Sequence, residues 1–351
     1  MDRFKLGRKP AQYQRFSETE ASKPAKAGIL GRWRIKPFKN RGKHSPQKTS
    51  LQKNNVKLKQ REIRKLAVAN KPPTDPKTLR SMAIDAQLAA YPYHRSLEKI
   101  HQAGEIHAPE KEDFATQWDP SSELAELIAS DAGLTISSEE PGFLYDRNSG
   151  LTAYVLINAQ LQEVRLVFGG TTSGLSQGDF LERSRKNFKF SGKQWKANIK
   201  NMLGRGIPDS FIQAKVLTAS LLEKMPSTLE GKPFKLKLNG HSKGGAEANY
   251  AALSMTPPVQ AVCFSSSELS RKALSDIPRE NLAQASQLVT HYNVSKDLVA
   301  NTGRIFRGLS QAGKVMTIPA KYAYSSLLDR HDKFTRHIEH YARNAASQTS
   351  N

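Results

Sequence analysis

"LKLNGHSKGGAEANYAALS", residues 236–254, decides the fold of this chain. Leu236 and Leu238 alternate with polar residues, so 234–239 reads as a strand. The Ala-rich run up to about residue 254 reads as a helix. Between them, Gly240-His241-Ser242-Lys243-Gly244 fits the pattern G-x-S-x-G, the sharp strand-to-helix turn that lifts a serine above a sheet edge. That turn needs almost no side chain two positions before and two after the serine. Five letters recur by chance, and a polar turn serine is the plain alternative. The preceding strand, the extra small residue Gly245 and the helix that follows give the pattern its weight.

Working outward, "GLTAYVLINAQLQEVRLVFGGTTSG" (150–174) reads as two strands joined by a polar turn. "IPDSFIQAKVLTASLLEKM" (207–225) reads as a helix with Ile212, Val216, Leu217, Leu221 and Leu222 on its apolar face. "TLRSMAIDAQLAAYPY" (78–93) has helical spacing and is expected to end at Pro92. "VQAVCFSSSEL" (259–269) and "SQLVTHYNVSKDLV" (286–299) each hold a strand, and "RHDKFTRHIEHYARNAA" (330–346) is expected to carry one last helix. Strands alternating with helices predict an α/β domain over 78–345, a mostly parallel sheet flanked by helices, followed by a short tail at 346–351.

A serine nucleophile needs a base, an acid that orients the base, and N–H donors for the oxyanion. In hydrolases built on this turn the acid and then the histidine follow the serine in the chain. Asp297, just beyond a predicted strand, is the candidate acid, with a loop-capping role as its plain alternative. The tail offers His331, His337 and His340. His331, expected in a loop before the last helix, is the preferred base and His337 the alternative. His101, His107 and His291 precede Asp297 and fit the order less well. The backbone N–H of Lys243 and a donor from Thr171, after the Gly169-Gly170 strand end, are the candidate oxyanion groups.

"VRLVFGGTT", "LNGHSKGGAEANYAAL", "HYNVSKDLV" and "RHDKF" together resemble the lipase-like α/β-hydrolases, in particular the fungal-type class 3 triacylglycerol lipases. "GHSKGG" with a late "HDxF" is closer to a bacterial branch of uncharacterised lipase-like proteins. The resemblance covers about residues 82–340. It implies a serine esterase acting on lipid or other esters, with Ser242 as nucleophile, Asp297 as acid, His331 as base and Thr171 in the oxyanion hole. Two departures stand out. Gly169 occupies a position that is usually Arg in the family, and Lys235 and Lys237 punctuate a strand whose two faces should both be apolar.

The formal charge of +22 is concentrated: residues 1–80 hold 23 Lys and Arg against 5 Asp and Glu. Residues 1–77 are read as a disordered basic arm and linker, with one basic amphipathic helix expected over 54–70. Such an arm suits an anionic membrane, suits nucleic acid less well, and also suits an export or chaperone-binding segment of the kind found in bacterial effector proteins. Residues 174–206 mix Phe188, Phe190 and Trp195 with eight Lys and Arg, which fits adsorption to an anionic lipid surface or a helix pair docked on the core. The single cysteine, Cys263, and the lack of an apolar leader point to synthesis in a cytoplasm, with export by a route needing no cleaved signal left open. No nucleotide or metal motif appears, so no cofactor is expected. The rival to an enzyme is a lapsed hydrolase fold that binds membranes or nucleic acid through the arm.

Overall fold

The computed structural model describes residues 58–105, 117–170, 206–225, 228–229, 232–304 and 308–349. Strands β1 (Ala67–Asn70), β2 (Thr135–Ile136), β3 (Phe143–Tyr145), β4 (Thr152–Asn158), β5 (Glu163–Phe168), β6 (Lys235–His241), β7 (Gln260–Phe264), β8 (Val289–Val294) and β9 (Gly313–Ile318) lie in one ten-stranded sheet, in the order β1-β9-β8-β7-β6-β5-β4-β3-β2. The pairs from β1 through to β5 are all parallel, and the remaining pairs toward β2 are antiparallel. The tenth strand, Asp119–Pro120, pairs antiparallel with β4.

Helices cover both faces, as a parallel sheet requires. On one face lie α4 (Ser122–Ala129), α5 (Asp209–Lys224) and α6 (Lys243–Leu253); on the other lie α2 (Pro76–His94), α3 (Leu97–Glu105) and α8 (Phe334–Thr349), with α1 (Gln60–Arg64) and α7 (Leu327–Asp332) at the margins. The alternation along β5 explains the layering. Val164, Leu166 and Phe168 join the core under α5 and α6, while Val167 joins the cluster under α2 and α3. Each such buried side chain contributes about 1.5–3 kcal/mol. This is an α/β-hydrolase-like architecture, as the sequence predicts.

Several expectations need correction. The folded domain does not begin at 78. Leu58 and Ile63 are buried in the core, and β1 pairs with β9, so 58–70 belongs to the domain and is a short helix and a strand rather than one helix. All of β1 is solvent-exposed, so no hydrophobic alternation marks this edge strand in the sequence. Residues 1–57, and with them most of the basic arm, lie outside the described residues.

In α2, Asp75 caps the first turn through Thr78 N–H, and the helix passes Pro92 to end at Arg95 in the left-handed region. The buried face of α5 is carried by Phe211, Ala214, Leu217 and Leu221, while Ile212 and Leu222 are exposed. The ring of Phe211 lies 5.6 Å from Tyr250 on α6, and the buried face is turned by about one position from the predicted one. The last predicted helix is two, α7 and α8, parted at Lys333.

The two strand lysines find a simple account. Lys235 is exposed at the start of β6, and Lys237 pairs with Glu163 at 2.7 Å. Glu163 also pairs with buried Arg165, which reaches Asp85 on α2 at 2.9 Å and Asn239 at 3.0 Å. A closed ionic cluster thus fills the part of the α2-facing surface that apolar residues would otherwise occupy.

Candidate active site

The site forms where β6 turns into α6. Ser242 has φ 59° and ψ −125°, a region that L-residues rarely enter, and it holds this geometry because its neighbours overdetermine it. Its N–H donates to Phe264 O at 3.1 Å, and its carbonyl accepts from Ser267 N–H at 3.0 Å. The glycines the motif demands are sterically enforced. A Cβ on Gly240 would come within 2.3 Å of Gly244 O, and one on Gly244 within 2.2 Å of Phe168 O. The turn is this tight because α6 starts directly against the end of β5.

His331 sits in the last turn of α7, not in a loop, and its Nε2 lies 2.9 Å from Ser242 Oγ. Its Nδ1 lies 3.0 Å from Asp297 Oδ2. Asp297 follows β8 and is fully buried; Ser242 and His331 are 7% and 9% exposed, just enough for a small group to approach. The other carboxylate oxygen of Asp297, Oδ1, accepts from Val299 N–H at 2.8 Å and Ala300 N–H at 3.3 Å. The capping role and the role beside histidine are therefore one arrangement: the two backbone donors fix the carboxylate so that Oδ2 faces the imidazole.

Burial alone would raise the Asp297 carboxyl, but the hydrogen bond and charge of His331, with the Ala300 N–H, outweigh it and hold the group below its ordinary value. An ionised Asp297 accepting from His331 Nδ1–H leaves Nε2 as an acceptor for the Ser242 hydroxyl. The arrangement can therefore take a proton from Ser242 Oγ and hold the resulting imidazolium against a buried carboxylate.

The structure brings Ser242, Asp297 and His331 together and leaves His337 out. His337 is buried on α8, where its Nδ1 accepts from Lys321 N–H at 2.9 Å. Burial, with Arg330 and Arg336 nearby, lowers its proton affinity despite the opposing pull of Asp329. Lys243 is the first residue of α6, so its N–H stands at the helix N-terminus beside Ser242. Its side chain turns away to pair with Glu247 in the core at 2.5 Å. Thr171 and the 174–205 stretch lie outside the described residues. Gly170, the residue before Thr171, is beside the serine, since a Cβ on it would stand 3.2 Å from Ser242 Cβ.

Arg330, His241 and Tyr93 did not stand out in the sequence. Arg330 donates to the carbonyls of Ser325, Ser295 and Ala323 and so pins α7 to the end of β8. It reads in sequence as one more surface charge. His241 fills a position that the motif leaves unspecified, and no pattern marks Tyr93.

No protein-family model matches the chain, and no curated protein sequence matches it. Solved structures that are similar include the Lip2 lipase from Yarrowia lipolytica, at 13% identity over 74% of this chain and 85% of that one, with a TM-score of 0.39. Lipase II from Rhizopus niveus is 12% identical over 70% of this chain and 82% of its own, with a TM-score of 0.35. A dienelactone hydrolase from Anabaena variabilis is 15% identical over 51% and 72%, with a TM-score of 0.26. These likenesses are faint, and the fold and the site rest on this chain's own topology and distances.

Proposed function

We propose that this chain is a serine hydrolase of carboxylic esters and that its substrates are lipid esters. The observation that carries the reading is the strained Ser242, with its Oγ in line with His331 Nε2 and Asp297 behind. His331 takes the Ser242 proton as Oγ attacks the acyl carbonyl. The carbonyl oxygen becomes an oxyanion held by the Lys243 N–H and, on the sequence reading, by Thr171. Collapse of the tetrahedral species expels the alcohol, which takes its proton from His331 and leaves an acyl-Ser242 ester. Water, deprotonated by the same histidine, then releases the acid and regenerates the serine.

A lapsed, binding-only fold has no need to keep a strained serine, a hydrogen-bonded base and an anchored acid, and their joint presence favours the enzyme. The lipid preference is supported by apolar side chains exposed close in sequence to the base and acid: Leu298, Tyr322, Tyr324 and Leu327, with Tyr324 84% exposed. The aromatic and basic residues of 174–206, and the basic arm, fit an anionic lipid surface as partner.

The test is covalent labelling of Ser242 by a fluorophosphonate, with and without anionic phospholipid vesicles, alongside hydrolysis of short and long p-nitrophenyl esters. Labelling at Ser242 and turnover that rises on vesicles are the expected results. No labelling of the wild-type protein under any of these conditions would return the choice to the binding protein.

A further inference from the structure

His241, the residue before the serine, is 4% exposed, and two directed contacts stand out among those it makes. Its Nδ1 lies 2.9 Å from Tyr93 Oη, and its Nε2 lies 3.0 Å from the main-chain oxygen of His331. Tyr93, near the end of α2, accepts the N–H of Gly170 at 3.0 Å on the same hydroxyl. With His241 a neutral imidazole, only one assignment of protons satisfies all three contacts. A carbonyl can only accept, so His241 Nε2 carries the proton and Nδ1 accepts from the Tyr93 hydroxyl. The chain then runs in one direction: Gly170 N–H to Tyr93 Oη, Tyr93 O–H to His241 Nδ1, His241 Nε2–H to the carbonyl of His331.

This chain joins parts of the site that the backbone leaves separate. Gly170 opens the segment that carries Thr171, His241 precedes the serine, and the carbonyl of His331 belongs to the last turn of the six-residue α7. Carbonyls in a helix's last turn have no partner within the helix, so the end that carries His331 needs an outside anchor. Arg330 holds that helix from one side, and His241 holds its end from the other. The ring of His241 is also clamped, stacked on Phe334 at 4.1 Å and 8°. The residue at 170 is matched to the tyrosine, because a Cβ there would stand 2.1 Å from Tyr93 Oη.

We infer that Tyr93 and His241 are positioning residues for the hydrolytic reaction: one hydrogen-bonded chain sets the His331 imidazole and the Gly170 backbone in register about Ser242. The inference rests on Ser242 and His331 being the reacting pair. Proton transfer from Oγ depends steeply on that alignment, and a misplacement of about 1 Å costs on the order of 100-fold in rate.

The test compares Tyr93→Phe, His241→Gln and His241→Phe with wild type by ester hydrolysis, by the rate of fluorophosphonate labelling at Ser242, and by thermal melting. Tyr93→Phe keeps the ring and removes the hydroxyl. Its kcat and labelling rate are expected to fall about 10- to 100-fold with KM within about twofold. His241→Gln retains an amide donor for the His331 carbonyl, whereas His241→Phe retains only the stack on Phe334. Positioning therefore predicts that the glutamine variant keeps more kcat than the phenylalanine variant, and a packing role predicts the reverse order.

Tyr341→Phe serves as the control, since its hydroxyl binds only Pro73 O at 3.0 Å among the described contacts, and kcat should be unchanged. Wild-type rates in Tyr93→Phe, or a phenylalanine variant at least as active as the glutamine one, would overturn the inference and leave the hydrolase intact. A wild-type protein that is never labelled would overturn both.

Discussion

Among the described residues two serine hydroxyls meet a histidine ring at nearly equal distance, and the proposed function uses one of them. Ser242 Oγ stands 2.9 Å from His331 Nε2, and Ser266 Oγ stands 2.8 Å from His291 Nδ1. Ser266 and His291 are both fully buried. The far nitrogen of His291 meets a carbonyl, Ala312 O at 3.3 Å, where that of His331 meets a carboxylate. Gln311 also donates to Ser266 Oγ at 3.0 Å, which occupies a lone pair a nucleophile would need. Ser266 sits just behind the turn, because a Cβ on Gly245 would come within 2.5 Å of Ser266 Cβ. A short Ser–His distance is therefore not a signature of chemistry. The anionic partner, the access and the strained backbone at Ser242 make the difference.

The sharpest break between the pairs is in rate. Ser242→Ala and Asp297→Asn should each lower kcat by about 10⁴-fold or more, the second by disturbing the tautomer rather than the fold. Ser266→Ala should leave kcat within about threefold. Steady-state hydrolysis of a p-nitrophenyl ester reads all three, and a Ser266 variant as impaired as the Ser242 variant would erase the distinction.

The pairs should also part in their response to acid. Burial pushes His291 down to about 4 from its ordinary 6.5, with the Ala312 carbonyl pulling weakly the other way. The unfolded chain binds that proton first as pH falls. Stability from the neutral buried ring is thus complete above about pH 6.5 and is lost progressively as pH drops toward 4. The loss is on the order of 3 kcal/mol. Melting curves of wild type against His291→Gln should converge across that interval. Curves that stay parallel would mean the ring is not held neutral.

The smallest effect separates His331 from His337, the alternative base. His337→Gln should leave kcat within about twofold, since its ring serves the Lys321 N–H. A loss near that of His331→Ala would reassign the base.

Much of this was legible from residues alone. The strand-turn-helix at 236–254 reads directly, because Gly240 and Gly244 are spaced by a steric demand that no other residue meets. The hairpin of β4 and β5 reads from its alternation, and Asp297 from its place after a predicted strand. What stayed hidden has physical causes. All four residues of β1 are exposed and the strand is placed by its pairing with β9, so it carries no hydrophobic period. Whether His331 or His337 faces the serine depends on where the chain breaks between α7 and α8, at Lys333, and on the three carbonyls that Arg330 gathers.

The local sequence determined the strand-turn-helix around Ser242 and the α/β layering, because these follow from glycine spacing and periodicity within a few residues. Only the tertiary structure decided which histidine meets Ser242, that Asp297 both caps its loop and orients the ring, and that Tyr93 and His241 tie the site together. Those outcomes are hydrogen bonds between segments far apart in the chain, and their strength depends on burial and direction that no local pattern encodes.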